Sequence, residues 1–107
     1  MDVPEVDIEA FAALHTTGVT VIDVREPHEY EEAHVPRATL IPLGEVPDRV
    51  AEVPDGETVY LVCAVGGRSG RATELLLGQG KDVVNVAGGT KAWIAAGHPT
   101  VDGAEPE

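Results

Sequence analysis

Thr58-Val59-Tyr60-Leu61-Val62-Cys63-Ala64-Val65-Gly66-Gly67-Arg68-Ser69 passes from an apolar run directly into a glycine-bearing loop. The continuous run up to Val62 reads as a strand covered on both faces. Cys63, the one cysteine of the chain, stands where that strand ends. A helix is expected from about Ser69, with Ala72, Leu75 and Leu76 facing inward and Gly80 stopping it. A thiol between a strand and a helix faces successive backbone N–H groups and the positive helix end, and both favour a thiolate over a thiol. The helix end contributes roughly 0.3 to 2 kcal/mol. Free cysteine is often only a small buried hydrophobe, but the Gly-Gly-Arg-Ser that follows marks Cys63 as a nucleophile.

Working outward, Asp7 is a candidate N-cap for a helix carrying Ile8, Phe11, Ala12 and Leu14 and ending near Gly18. The β-branched run Val19-Thr20-Val21-Ile22-Asp23-Val24-Arg25 predicts a second buried strand. Residues 27–33 suit a short helix with Pro27 in its first turn, and Thr39-Leu40-Ile41 a brief strand. Residues 44–53 space Val46, Val50 and Val53 at helical intervals, and Pro54-Asp55-Gly56 is turn chemistry. Val83-Val84-Asn85-Val86 predicts another strand, followed by Gly88-Gly89 and a last helix around Trp93. Strands alternating with helices through short connections predict an α/β fold with a largely parallel sheet and helices on both faces. Ligands of such sheets bind beyond the carboxyl ends of the strands, where Asp23, Arg25 and Cys63 all fall. Residues 101–107 are polar and acidic and read as a frayed, flexible tail.

A chain of 107 residues holds one core and one domain. Nineteen acidic against seven basic residues leave a net charge of -12, which argues against nucleic acid and anionic membranes as partners. Three of the seven cations, Arg25, Arg68 and Arg71, fall near the cysteine loop. Because charges beyond roughly 8 Å are screened at physiological salt, these arginines can still draw a small anion to an acidic protein. A lone cysteine excludes an internal disulfide. With a start that is neither basic nor apolar and no run of roughly 20 apolar residues, it leads us to expect a soluble protein of the reducing cytoplasm. His15, His28 and His98 lack ligand-spaced neighbours, so neither a metal nor a cofactor is expected.

Four patches, in order, resemble the rhodanese-like sulfurtransferases. They are Asp23-Val24-Arg25-Glu26, His34-Val35-Pro36 with Ala38, the loop from Cys63 to Ser69, and Gly88-Gly89 followed by Ala92-Trp93 and Gly97-His98-Pro99. Ala33 and Arg37 depart from the family by standing where it usually has glycine. The resemblance implies a single rhodanese domain over residues 1–107, with a mostly parallel five-stranded sheet flanked by helices. It also implies that Cys63 accepts a sulfane sulfur from a small sulfur-containing anion such as thiosulfate, or from a persulfide donor. The Cys63 persulfide then passes that sulfur to a thiol, cyanide or a sulfur-carrier protein. The loop suits this role, since an anionic outer sulfur needs N–H donors and a nearby cation. The amides of Ala64, Val65, Gly66, Gly67 and Ser69 are candidate substrate contacts, and Arg68 is the cation. Gly66 and Gly67 let the backbone curl, and Ser69 caps the following helix and offers its hydroxyl.

Two other readings stay open. Cysteine phosphatases and arsenate reductases also join a cysteine and an arginine on a strand-loop-helix, but with five intervening residues where this chain has four. A rhodanese-like module that only binds or regulates is the third reading. Asp23 and Arg25 are expected to pair or to hold the loop from behind. Arg71 is either a solvated side chain or a substrate-binding guide at the pocket mouth. His34 is expected to satisfy a turn, Trp93 to fill the core, and Gly88-Gly89 to reverse the chain tightly.

Overall fold

A computed structural model describes residues 3–107. The strand preceding the cysteine, here β4, is Val59–Val62, and all four of its residues are buried. Side chains alternate across it as strand geometry requires. Val59, Leu61 and Cys63 join one apolar cluster with Ile22, Ala72, Leu76 and Val83. Tyr60 and Val62 join another with Phe11, Val21, Val86 and Trp93. Each fully buried aliphatic side chain contributes roughly 1.5 to 3 kcal/mol, so two filled faces hold the sheet as a middle layer.

In chain order the elements are β1 (Glu5–Val6), α1 (Ile8–His15), β2 (Thr20–Asp23), α2 (Pro27–Glu32), β3 (Thr39–Leu40), β4, α3 (Gly67–Gly78), β5 (Val83–Val86) and α4 (Gly89–Ala95). The sheet has five strands in the order β1-β5-β4-β2-β3. Every strand pair is parallel. Asp7 caps α1 by accepting from Ala10 N at 2.8 Å. Beyond α3, Lys81 N donates to Leu76 O and Gly80 N to Leu77 O, with Gly80 at φ +83°, a left-handed turn that satisfies the last carbonyls.

Several boundaries differ from the sequence reading. β1 escaped it because two residues between Pro4 and Asp7 carry no alternation, although Asn85 N donates to Pro4 O and Ala87 N to Val6 O. Residues 44–53 form two 3₁₀ segments, Leu43–Asp48 and Val50–Glu52, instead of one α-helix. Pro47 lacks the N–H that an α-helical ladder needs there. The helix after the cysteine starts at Gly67 with Gly66 as N-cap, so Ser69 lies inside its first turn and is not the cap. Residues 101–107, expected to fray, bond back onto the molecule: Val101 and His34 form an antiparallel bridge, Gly103 N donates to Glu31 O, and Arg37 N donates to Pro106 O. Arg37 takes φ +70°, the left-handed conformation that a glycine would adopt freely.

Gly88 and Gly89 do more than turn the chain. Thr90 N donates to Cys63 O at 2.8 Å and Lys91 N to Ala64 O at 3.0 Å, so the start of α4 clamps the cysteine loop. Gly89 sits at φ +61°, and a Cβ there would lie 2.6 Å from Ala64 O. Gly97 is also left-handed, at φ +85°, but a Cβ there meets open space. We therefore expect Gly97→Ala to cost about 1 kcal/mol of stability, the conformational penalty alone, and Gly89→Ala about 3 kcal/mol. Urea midpoints of the two variants at unchanged m-value check the order, and equal losses would refute the close approach.

Candidate active site

Cys63 leaves β4 at its carboxyl end, and the chain immediately reverses over the sulfur. Gly66 permits this with φ +109°, placing its own N–H 3.1 Å from Cys63 Sγ. Gly67, expected to share that role, is not left-handed and has open space where a Cβ would stand. The Ser69 hydroxyl lies 3.3 Å from the sulfur and 2.5 Å from Asn85 Oδ1. Its single proton thus has two acceptors, and a charged sulfur is the stronger of them. Asn85 completes the ring by donating through Nδ2 to Gly66 O at 3.2 Å and Glu5 Oε2 at 2.9 Å. Two acceptors for Nδ2 fix the orientation of this amide.

Burial pushes the Cys63 thiol up, for the residue is only 1% exposed. The Ser69 hydroxyl and the amides of Ser69, Gly66 and Val65 outweigh that, and the thiol lies below its ordinary value. The sulfur thus faces N–H dipoles even though its carbon framework belongs to the core.

Arg68 and Arg71 are placed differently from expectation, whereas Arg25 pairs with Asp23. Arg68 makes a two-pronged pair with Glu29 of α2, at 2.7 and 2.9 Å, and hydrogen-bonds that carboxylate instead of the sulfur. Glu29 Oε1 also accepts from Glu26 N at 2.9 Å, so one side chain caps α2 and ties it to the cysteine loop. The Arg68 hydrogen bonds, helped by Glu26 N, hold the Glu29 carboxyl down at about 2. Arg25 pairs with buried Asp23 at 2.8 Å and donates to Ala33 O at 2.8 Å. Arg71, expected at the pocket mouth, lines a separate depression with Leu43, Glu74 and Leu75. His34 satisfies backbone as expected, its ring nitrogens meeting Tyr30 O and Pro106 O. Trp93 fills the core edge-on to Phe11 and donates to Pro99 O at 2.6 Å.

Beside the loop opens a cavity of about 220 Å³, walled by Ala64 together with Arg25, Glu29 and Glu32 on one side and Thr90, Lys91 and Ile94 on the other. Sequence reasoning missed Glu29, Asn85, Thr90 and Lys91. Asn85 had a readable signal, a lone amide in an apolar parallel strand that must find partners when buried. Thr90 and Lys91 had none, since only the fold brings α4 against the loop.

A single thiol held by amides at the carboxyl edge of a parallel five-stranded sheet defines a small α/β domain with one cysteine-centred site. The chain belongs to the rhodanese-like family, whose Rhodanese-like domain it matches over residues 8–96. It is 44% identical over 86 residues to the thiosulfate sulfurtransferase PspE of Escherichia coli, covering 78% of each chain. It is 39% identical over 94 residues to the Bacillus subtilis protein YrkF, whose name makes it a candidate sulfur carrier; 85% of this chain aligns with about half, 51%, of that protein. The crystal structure of a rhodanese-related protein from Thermoplasma volcanium superposes with a TM-score of 0.84 at 31% identity, over 92% of this chain and 97% of that one.

Two outcomes follow for the site. Ser69→Ala should raise the pH at which Cys63 becomes reactive toward iodoacetamide, read from the inflection of rate against pH; an unmoved inflection would remove the hydroxyl from the site. Glu29 is depressed in the folded state, so its stabilisation is present above the ordinary carboxyl value of 4.5 and is lost as pH falls toward about 2. The unfolding midpoint of wild type should therefore exceed that of Glu29→Gln near neutrality, with the gap closing through that acid window.

Proposed function

We propose that the protein is a sulfurtransferase that carries a sulfane sulfur on Cys63, working by double displacement. The Cys63 thiolate attacks the outer sulfur of a donor such as thiosulfate; a new S–S bond forms, the donor's S–S bond breaks, and sulfite departs with the electron pair. No general base takes part, because the nucleophile is already ionised and the leaving group is stable. The persulfide is then relieved of its outer sulfur by a thiol, cyanide or a sulfur-carrier protein.

The observation that carries this reading is the pair of donors on one sulfur atom, the Gly66 N–H at 3.1 Å and the Ser69 hydroxyl at 3.3 Å, in a loop that holds the thiol below its ordinary value. Such fixed dipoles stabilise the thiolate before the reaction and after it, and they suit an anionic outer sulfur between those steps. In this reading Ala64 and Gly67 shape the loop, and Arg68 positions it through Glu29. Asp23 and Arg25 support the wall beside it. A phosphatase would need a wider loop with a guanidinium free to clasp a tetrahedral oxyanion, whereas here four residues intervene and Arg68 is committed to Glu29. The name of the relative PspE supports thiosulfate as a donor. A lone thiol that must stay reduced between turnovers suits the reducing cytoplasm.

Incubation with thiosulfate followed by intact mass spectrometry should add one sulfur atom to the protein, and cyanide should remove it. Cys63→Ser should gain none. A variant that gained sulfur as the wild type does would end the proposal, and cysteine-dependent hydrolysis of a chromogenic phosphate ester would favour the phosphatase reading instead.

A further inference from the structure

The cavity beside the loop has two walls of unlike chemistry. One comes from α2 and the end of β2, with Glu29, Glu32 and Arg25; the other comes from α4, with Thr90 and Lys91. Most of these charges are already matched, Glu29 by Arg68 and Arg25 by Asp23. Among the described residues, Glu32 and Lys91 have no ion-pair partner, and they leave in the lining one negative group from α2 and one positive group from α4. Thr90 is only 2% exposed, yet its hydroxyl makes no hydrogen bond. A buried hydroxyl without a partner costs on the order of 1 to 3 kcal/mol, which a ligand's polar group offsets.

We propose that this cavity binds the organic part of a small thiol that carries both an ammonium and a carboxylate. Lys91 and the Thr90 hydroxyl, both of α4, hold the carboxylate, and Glu32 of α2 faces the ammonium. A volume of about 220 Å³ holds about seven water-sized groups at roughly 30 Å³ each, enough for an amino-acid thiol and more than one sulfur atom requires. A dianion such as thiosulfate matches the cationic wall and leaves Glu32 unanswered; a zwitterion answers both walls. The proposal rests on the sulfur-transfer reading, with the thiol as acceptor. The thiol first passes its proton to the anionic outer sulfur of the Cys63 persulfide, and its thiolate then attacks that sulfur and forms the new S–S bond. The bond to Cys63 breaks, its electron pair returns to Cys63 as the thiolate, and the outer sulfur leaves with its proton as the product persulfide.

The test loads Cys63 with thiosulfate, removes the excess, and follows discharge of the added sulfur by mass spectrometry. Four acceptors are compared: L-cysteine, cysteamine without the carboxylate, 3-mercaptopropionate without the ammonium, and 2-mercaptoethanol with neither. Rates are corrected for each thiol's own reactivity toward a small persulfide. L-Cysteine should exceed 2-mercaptoethanol by about tenfold or more, the discrimination expected of a pair of charge contacts. In Lys91→Gln the cysteine-to-cysteamine ratio should fall toward one, and in Glu32→Gln the cysteine-to-mercaptopropionate ratio should do the same. Both residues are exposed, so these variants leave the core intact. Equal corrected rates for the four thiols, or ratios unchanged in both variants, would overturn the proposal.

A second measurement needs no sulfur transfer. S-Methyl-L-cysteine added to the unloaded protein should shift the amide resonances of Thr90 and Lys91, and Lys91→Gln should abolish the shift. If Cys63 never accepts sulfur while these shifts persist, the transfer reading falls and the binding site stands. If Cys63 loads, no thiol is preferred and no shift appears, the site falls and the transfer reading stands.

Discussion

The hydrogen bond from Gly66 N to Cys63 Sγ, at 3.1 Å, is the constraint on which the surrounding architecture depends. To make it, the chain must reverse within three residues of a strand end, and only the left-handed conformation at Gly66 allows that. The reversal takes Cys63 O and Ala64 O out of the strand, where they require donors from elsewhere. Thr90 N and Lys91 N supply them, and they reach because Gly89 has no side chain to hold α4 off. Strand, loop and two helices are thus locked by the demand that one sulfur meet the Gly66 N–H and the Ser69 hydroxyl at once.

The site relies on dipoles more than on ions. In a chain of net charge -12, the arginines beside the loop are each matched by an acid, Arg25 by Asp23 and Arg68 by Glu29. Backbone dipoles pay no reorganisation penalty when charge develops on the sulfur, and being fixed and close they are little screened by salt. The ion pairs serve mainly as struts. Asp23, which is fully buried, accepts from both the backbone and the side chain of Arg25, and Arg25 in turn holds Ala33.

Much of the architecture was legible because period and punctuation agree. The β4 run is buried on both faces and shows as an unbroken apolar stretch, β2 as a nearly continuous one, and Asp7 and Gly80 mark helix ends by chemistry that the structure reproduces. What escaped was short or non-local. β1 is two residues long, and the two 3₁₀ segments mimic α-helical spacing until Pro47 interrupts it. In the site, the cysteine, its glycine and Ser69 are contiguous and could be read together. Glu29, Asn85 and Thr90 are drawn in from other elements, and only the fold shows that Glu29 takes up Arg68 or that Arg71 faces elsewhere.

Asn85 joins parts of the molecule that are far apart in sequence. One buried amide accepts from Ser69, donates to the carbonyl of Gly66, and reaches the carboxylate of Glu5 on the edge strand. Ser69 and Gly66 are the groups that hold the sulfur, so the margin of the sheet is wired to the acidity of the thiol. Any disturbance that lifts β1 from β5 would free the amide to rotate, slacken the grip of the loop and make the sulfur more basic, so that a purely mechanical change at the border would register as a chemical one at the centre.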